Sequence, residues 1–407
     1  MQEADVDPGP ATAGRPARGV ARIAGENAGE SAGESAGSGA DRSPDADAAA
    51  HLASELADVG RRAGLDAVGV ASAAPFADAR RHLEDRRARG LAAEMQFTYR
   101  NPARSTDPRQ ILPSARALVV GARRTPAPRL GAATSGNARV AAYARVDHYA
   151  DLRAALGEVA DRLRSDGWQA RVVTDDNALV DRAAAVRAGL GWYGKNANVL
   201  LPGRGSWFVL GSVVTDAPLP PNQAPVRDGC GTCERCLTGC PTGAIVEPGV
   251  VDARRCLAWL AQAPGPIPVE FRSALGDRLY GCDDCQEVCP IGAAEREAEE
   301  ARSGGRADGE PDAGADVAAV WILEADDQEL LDRFGRWYIA ERDPRYLRRN
   351  ALVVLGNARG DDPGRSGLLQ RYARHADPLL REHAVWALEQ CGRGQDPGVS
   401  HGGGGTG

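Results

Sequence analysis

Apolar positions along the chain change period several times. Leu52, Leu56 and Val59 recur at helical spacing and run into Arg61-Arg62-Ala63-Gly64, which predicts a helix. Ala67-Val68-Gly69-Val70 and Ala117-Leu118-Val119-Val120 are short unbroken apolar runs, the pattern of buried strands. Leu152, Leu156, Val159 and Leu163 predict a second helix, ended by Asp166-Gly167. A strand at Arg171–Thr174, a helix from Leu179 to Leu190 and a strand at 207–214 complete an α+β domain over residues 49–225. From Trp321 the pattern is helical. Leu347-Arg348-Arg349-Asn350-Ala351-Leu352 matches Leu380-Arg381-Glu382-His383-Ala384-Val385 at an offset of 33, which predicts a HEAT-like helical repeat over 318–392. Residues 1–48, rich in Ala, Gly, Glu, Ser and Asp, have no such period and are predicted to be a disordered tail. Residues 296–317 read as an acidic linker and 393–407 as a second disordered tail.

Composition narrows the picture. No apolar run approaches the roughly 18 residues of a membrane span. The acidic start, Met1-Gln2-Glu3-Ala4-Asp5, lacks an apolar core behind it and excludes a secretory signal. A cytoplasmic protein is the expectation, and its nine cysteines are then not a disulfide framework. The net charge of −7 sits in the tails: residues 1–48 carry −5 and 298–317 carry −4, whereas 332–382 carry +4, which permits a polyanionic partner. Of 49 basic residues one is a lysine, Lys195, which points to a need for its compact ammonium.

The chemistry is carried by the cysteines. Cys230-x2-Cys233-x2-Cys236-x3-Cys240-Pro241 has the spacing of a bacterial ferredoxin run, in which the fourth cysteine serves the other cluster. The later run, Cys282-x2-Cys285-x3-Cys289-Pro290, lacks one cysteine, and Cys256 can supply it. Crossing then gives Cys230, Cys233, Cys236 and Cys289 to one [4Fe–4S] cluster and Cys240, Cys256, Cys282 and Cys285 to a second. Zinc also accepts four thiolates, but its ribbons use paired C-x2-C knuckles. Cys391 lies outside both runs and reads as a structural thiol.

Around this array the chain resembles the epoxyqueuosine reductases, cobalamin-dependent enzymes of tRNA wobble modification. The matching stretches are Tyr143-Ala144-Arg145, Leu179-Val180-Asp181-Arg182, Gly189-Leu190-Gly191-Trp192-Tyr193-Gly194-Lys195-Asn196, Gly205-Ser206-Trp207, Tyr280-Gly281-Cys282-Asp283-Asp284-Cys285 and the repeats with Arg349-Asn350-Ala351. The resemblance implies an α+β multidomain fold: a cobalamin-binding domain, a ferredoxin-like two-cluster module at 226–295 and HEAT-like repeats. It implies reduction of epoxyqueuosine to queuosine with cobalamin and two [4Fe–4S] clusters, and Asp175 as proton donor. Arg145, Lys195, Asp283 and Asp284, with Asp175, become candidates for contacting cobalamin. Arg348, Arg349 and Arg381 become candidates for tRNA phosphates of the anticodon arm. The chain would work as a monomer, away from membranes, with an external low-potential electron donor. The family's Asp-Thr/Ser-Gly/Ala-Pro stands here as Asp175-Asp176-Asn177-Ala178. Two alternatives stay open: a paralogue acting on another substrate, such as a reductive dehalogenation, or a two-cluster electron carrier.

Overall fold

Seven strands and six helices frame the site. The strands are β1 (Ala67–Ser72), β2 (Ala117–Arg124), β3 (Asn137–Val140), β4 (Ala170–Thr174), β5 (Phe208–Thr215), β6 (Arg278–Tyr280) and β7 (Asp316–Ala318). The helices are α1 (Pro44–Arg62), α2 (His148–Ser165), α3 (Asp181–Arg187), α4 (Arg345–Asn357), α5 (Pro363–Tyr372) and α6 (Pro378–Arg393). The computed structural model describes residues 44–125, 136–222, 225–302, 316–360 and 362–393. The predicted disorder of 1–43 and 394–407 lies outside the described residues, as do positions 303–315.

The four longest strands form an antiparallel sheet in the order β1-β2-β5-β4. Successive side chains of a strand point to opposite faces, and here both faces are covered. Leu118, Val120 and Ala122 of β2 enter a core with Val173, Leu179, Ala184 and Leu190. Ala117 and Val119 enter the other, with Leu56 of α1 and Leu152, Leu156, Val159 and Leu163 of α2. That two-sided burial is why the strands read as unbroken apolar runs. Truncating Leu118 to alanine would cost about 2–5 kcal/mol by the usual cavity scaling. Gly69 is required by packing: a Cβ there would lie 2.4 Å from the Ala188 carbonyl oxygen, so β1 could not approach the end of α3.

The remaining segments are joined more tightly than the predicted boundaries suggest. A second sheet runs β6-β3-β7, parallel between β6 and β3 and antiparallel between β3 and β7. It takes one strand from the first predicted domain, one from the cysteine-rich segment and one from the predicted linker. One core beneath it contains Ala138, Leu257, Ile267, Leu279, Val317, Leu352 and Ala384. The described residues from 44 to 393 accordingly belong to a single compact unit. Two predicted boundaries move: α1 starts at Pro44 and not 49, and a helix at Ala293–Arg302 occupies the start of the predicted linker. Cys391 packs against the shared core, in keeping with a structural thiol.

Two helices of the C-terminal segment carry the internal repeat, α4 and α6, and they pack together. Gly356 allows this, because a Cβ would lie 2.7 Å from the Trp386 ring. No described helix is long and apolar enough to cross a membrane.

Candidate functional site

Asp175 follows β4 directly and takes a left-handed backbone, φ +49. Aspartate tolerates that region better than most residues, yet strain of this kind concentrates at functional turns. The turn is held by its neighbours. The Asp176 carboxylate accepts the Ala178 N–H at 2.8 Å. The Ser105 hydroxyl donates to the Asn177 carbonyl at 2.6 Å, and Val180 N–H donates to the Ser105 carbonyl. Asp176 thus braces the turn, and the exposed Asp175 is left to face outward. Burial of its inner side raises the Asp175 pKa, opposed by Arg153 and reinforced by Asp176 and Asp147.

Tyr193 is 46% exposed, and burial raises its phenol above the ordinary value. The charge of Arg182 acts on Tyr193, Tyr149 and Asp181 and also on Cys256, and that of Asp175 acts on Tyr149 and Tyr280. The Tyr280 and Tyr143 rings lie 6.3 Å apart. The Tyr280 hydroxyl donates to the Tyr338 carbonyl at 3.1 Å.

The eight clustered cysteines form no disulfide, are partly buried, and fall into two groups. Burial raises the Cys236 thiol, as do the neighbouring charges of Cys289, Cys230 and Cys233. Burial raises Cys285 strongly, together with Cys282, Cys256, Asp283 and Cys240. Cys282 is pushed up to about 12, first by burial and then by Asp284. Among the described residues, no three His, Cys, Asp or Glu gather closely enough to hold a single ion. Four mutually repelling thiols in one buried space suit a polynuclear iron cluster, whose positive charge deprotonates them. The surroundings supply donors to sulfur. The Trp192 indole N–H reaches Cys230 Sγ at 3.5 Å, and Ala244 N–H reaches Cys240 Sγ at 3.2 Å. The backbone N–H groups of Trp259 and Ala258 act on Cys256.

The other sequence candidates separate. Lys195 is half-buried, two residues after the exposed Tyr193, and its carbonyl accepts Gly249 N–H. A Cβ at Gly194 before it would come within 2.1 Å of Leu200 Cδ1. Arg145 donates through Nε to the Val140 carbonyl at 3.1 Å. Asp283 and Asp284 are held by partners within the protein. Asp283 is buried and accepts Ala142 N–H at 2.8 Å and the Gln286 amide at 3.2 Å. Burial pushes its pKa up to about 6. Asp284 forms a bidentate pair with Arg278 at 2.5 and 2.7 Å. Both residues brace the loop that carries Cys282 and Cys285.

Arg349 also needs correction, because it is fully buried and cannot meet a phosphate. Its guanidinium donates to the carbonyls of Ala263, Gly265, Leu260 and Ala261 at 2.5–3.2 Å. Arg348 is engaged with Asp327 and the Ala325 carbonyl. Arg381 remains exposed, donating to the His375 and Ala376 carbonyls. Sequence reasoning missed Trp192 as a donor to sulfur and Asp181 as a buried acid. Trp192 stood in the quoted glycine-lysine stretch, but nothing in a linear spacing links it to Cys230.

These features define an iron–sulfur oxidoreductase with an exposed acid at Asp175. Residues 229–292 match the family model described as "4Fe-4S double cluster binding domain". The epoxyqueuosine reductase of Xanthomonas campestris is 35% identical over 351 residues, 84% of this chain and 96% of that protein. That of Pseudomonas aeruginosa is 33% identical over 353 residues, 84% and 95%. Among solved structures, an epoxyqueuosine reductase crystallised with a tRNA-Tyr epoxyqueuosine-modified stem loop aligns with TM-score 0.73 and 29% identity. It covers 84% of this chain and 91% of that one. The Streptococcus thermophilus enzyme aligns with TM-score 0.72 and 26% identity, with the same coverage. The chain belongs to the epoxyqueuosine reductase family.

Proposed function

We propose that this chain reduces epoxyqueuosine to queuosine at the wobble position of tRNA, using cobalamin and two [4Fe–4S] clusters. The observation that supports the reading is an exposed Asp175 in a left-handed turn whose charge reaches Tyr149 and Tyr280, while Arg182 acts on both Tyr149 and the Cys256 thiol. Family membership and the relative crystallised with a tRNA stem loop support the substrate.

Residues 49–225 would form the cobalamin and substrate domain, 226–295 the two-cluster module and 318–392 the HEAT-like repeats. Cys230, Cys233, Cys236 and Cys289 would hold one cluster, and Cys240, Cys256, Cys282 and Cys285 the other, matching the two thiol groups. The exposed Asp175 and Tyr193 would face the bound cofactor. Lys195, half-buried, and Arg145, whose Nε already bonds the Val140 carbonyl, would meet its polar periphery. When bound, cobalamin would supply a strongly reducing, nucleophilic metal centre, and the clusters would deliver single electrons to it.

The protein's part is proton handling and exclusion of water. Asp175, raised by burial, carries a proton more readily than an exposed aspartate and can deliver it to the oxygen released as the ring opens. Asp176 and Ser105 fix the turn so that this carboxyl keeps its direction. Of Arg348, Arg349 and Arg381, the exposed Arg381 is the one that would reach tRNA phosphates. The test is anaerobic reconstitution followed by reduction of an epoxyqueuosine-modified stem loop. Queuosine should form with the wild-type chain and not with Asp175→Asn, whose iron content should be unchanged. Turnover by Asp175→Asn at the wild-type rate would overturn the role of this acid.

A further inference from the structure

The turn that carries Arg145 cannot hold its own shape. Ala142–Arg145 is a single helical turn of four residues with no side-chain cap at its start. A helix that short leaves nearly all of its backbone donors and acceptors to outside partners. At the N-terminal end those partners come from β6 and the loop of Cys282 and Cys285. The Tyr280 carbonyl accepts Ala141 N–H at 2.9 Å, and the Asp283 carboxylate accepts Ala142 N–H at 2.8 Å. Gly281, at φ +75, lets the two segments meet, because a Cβ there would come within 2.5 Å of the Ala141 Cβ. From the loop after Cys256, Gln262 Nε2 donates to the Tyr143 hydroxyl at 3.3 Å.

The C-terminal end is held from a distant part of the chain. The carbonyl of the buried Ala144 accepts the Trp337 indole N–H at 2.8 Å and Arg336 Nη2 at 2.5 Å. The same Nη2 donates to the Arg145 carbonyl at 2.7 Å. Both donors are themselves fixed. The buried Trp337 ring stacks on Tyr280 and on Phe334, with centroids 4.4 Å from each. Arg336 Nη1 donates to the Arg333 carbonyl at 3.2 Å. Arg145 is thus anchored at its backbone by Arg336 and at its Nε by the Val140 carbonyl of β3, 3.1 Å away. Two anchors along one side chain set where its guanidinium lies. A group ordered before its ligand arrives spares the ligand the entropy cost of ordering it.

We infer that Arg336 and Trp337 are positioning residues: by holding the Ala144 and Arg145 carbonyls they fix the Arg145 guanidinium where it meets the polar periphery of bound cobalamin. This rests on the reading of Arg145 as a cofactor contact of an epoxyqueuosine reductase. The C-terminal segment, proposed above for tRNA, thereby also shapes the cofactor site. The effect of both residues passes through Arg145. Because two donors share the Ala144 carbonyl, removing either one loosens the turn without leaving that oxygen bare.

Binding of cob(II)alamin to the full, iron-loaded chain, followed by EPR and absorbance, tests this without turnover. Arg336→Met keeps the aliphatic stem and Trp337→Phe keeps the aromatic stack. Each should weaken binding about fivefold, the effect of losing one or two hydrogen bonds. Arg336→Lys, which keeps donors within reach of both carbonyls, should bind as the wild type does. Arg145→Met should also weaken binding, and in that background Arg336→Met should add less than about twofold, because residues acting through one contact are not additive. Iron content should stay at the wild-type level throughout. Where Arg336→Met loses iron, Trp337→Phe in the Arg145→Met background gives the same reading. Wild-type affinity in Arg336→Met or Trp337→Phe overturns the positioning role, as does full additivity with Arg145→Met. An Arg145→Met variant of wild-type affinity overturns it by removing the contact through which it works. A wild-type chain that binds no cob(II)alamin refutes the functional reading and the proposal with it.

Discussion

Arg349→Met is the substitution whose outcome the structure fixes most sharply. The guanidinium makes four hydrogen bonds to carbonyls of the Leu260–Gly265 segment and two to Asn350 Oδ1. That segment follows Cys256 directly, and Asn350 clamps it again through the Ala261 carbonyl at 2.8 Å. Burial lowers the Arg349 pKa to about 9, a sign that desolvation of the cation works against the bonds. Each charge-assisted bond contributes about 1.5–3 kcal/mol, and relief of a buried charge returns several kcal/mol. The net loss for methionine, of similar length, should be about 3–5 kcal/mol, the usual cost of breaking a buried charged pair. Thermal unfolding of wild type and variant under argon would read this as a drop in Tm of many degrees. Below the transition, affinity for a tRNA stem loop should be unchanged, because the side chain never reaches solvent. A variant of wild-type stability that has lost RNA affinity would refute the reasoning and return Arg349 to the RNA-contacting surface.

Other outcomes follow from the same geometry. Cys256→Ser should leave one cluster intact, so iron and sulfide should each fall by about half, from roughly eight to four per chain; full retention would remove Cys256 from the ligands. Trp192→Phe removes the N–H aimed at Cys230 Sγ and should lower the reduction potential of one cluster alone, read by potentiometric titration with EPR detection. His383 is buried, its Nε2 accepting Ile267 N–H and its Nδ1 bonded to the Leu379 carbonyl. Burial pushes it down to about 4, below an unfolded value of roughly 6.5. The unfolded chain therefore binds more protons between these values, and stability is lost as pH falls from about 6.5 to 4, by at most about 3 kcal/mol. His383→Gln should flatten that part of the stability curve in chemical denaturation.

The sequence was most legible where one local rule governed the outcome. The sheet strands β1, β2, β4 and β5 were visible because both faces bury apolar residues, and α2 because its stripe points one way. The cysteine spacing was legible because a loop wrapping a cluster is itself a local object. The second sheet was not, since β3 is four residues long and its partners lie near 279 and 317. Arg348 and Arg349 look alike in sequence, both on a basic repeat helix. What separates them is the loop at 260–265 packed over one of them, a contact 84 to 89 positions away. The partner of Asp283 was hidden for the same reason: Ala142, just after β3, lies 141 positions away. Asp175 stood out from Asp176 by family likeness alone, and the turn supplies the physical distinction by tying Asp176 to Ala178.

The central claim is that Asp175 and the two thiol groups serve the deoxygenation of a tRNA nucleoside. The most direct measurement is nucleoside mass analysis of tRNA from a strain lacking its own epoxyqueuosine reductase and supplied with this chain. The account predicts that epoxyqueuosine disappears and queuosine is restored, and that the chain carrying Asp175→Asn leaves epoxyqueuosine in place. Persistence of epoxyqueuosine with the wild-type chain, expressed and loaded with iron, would contradict it.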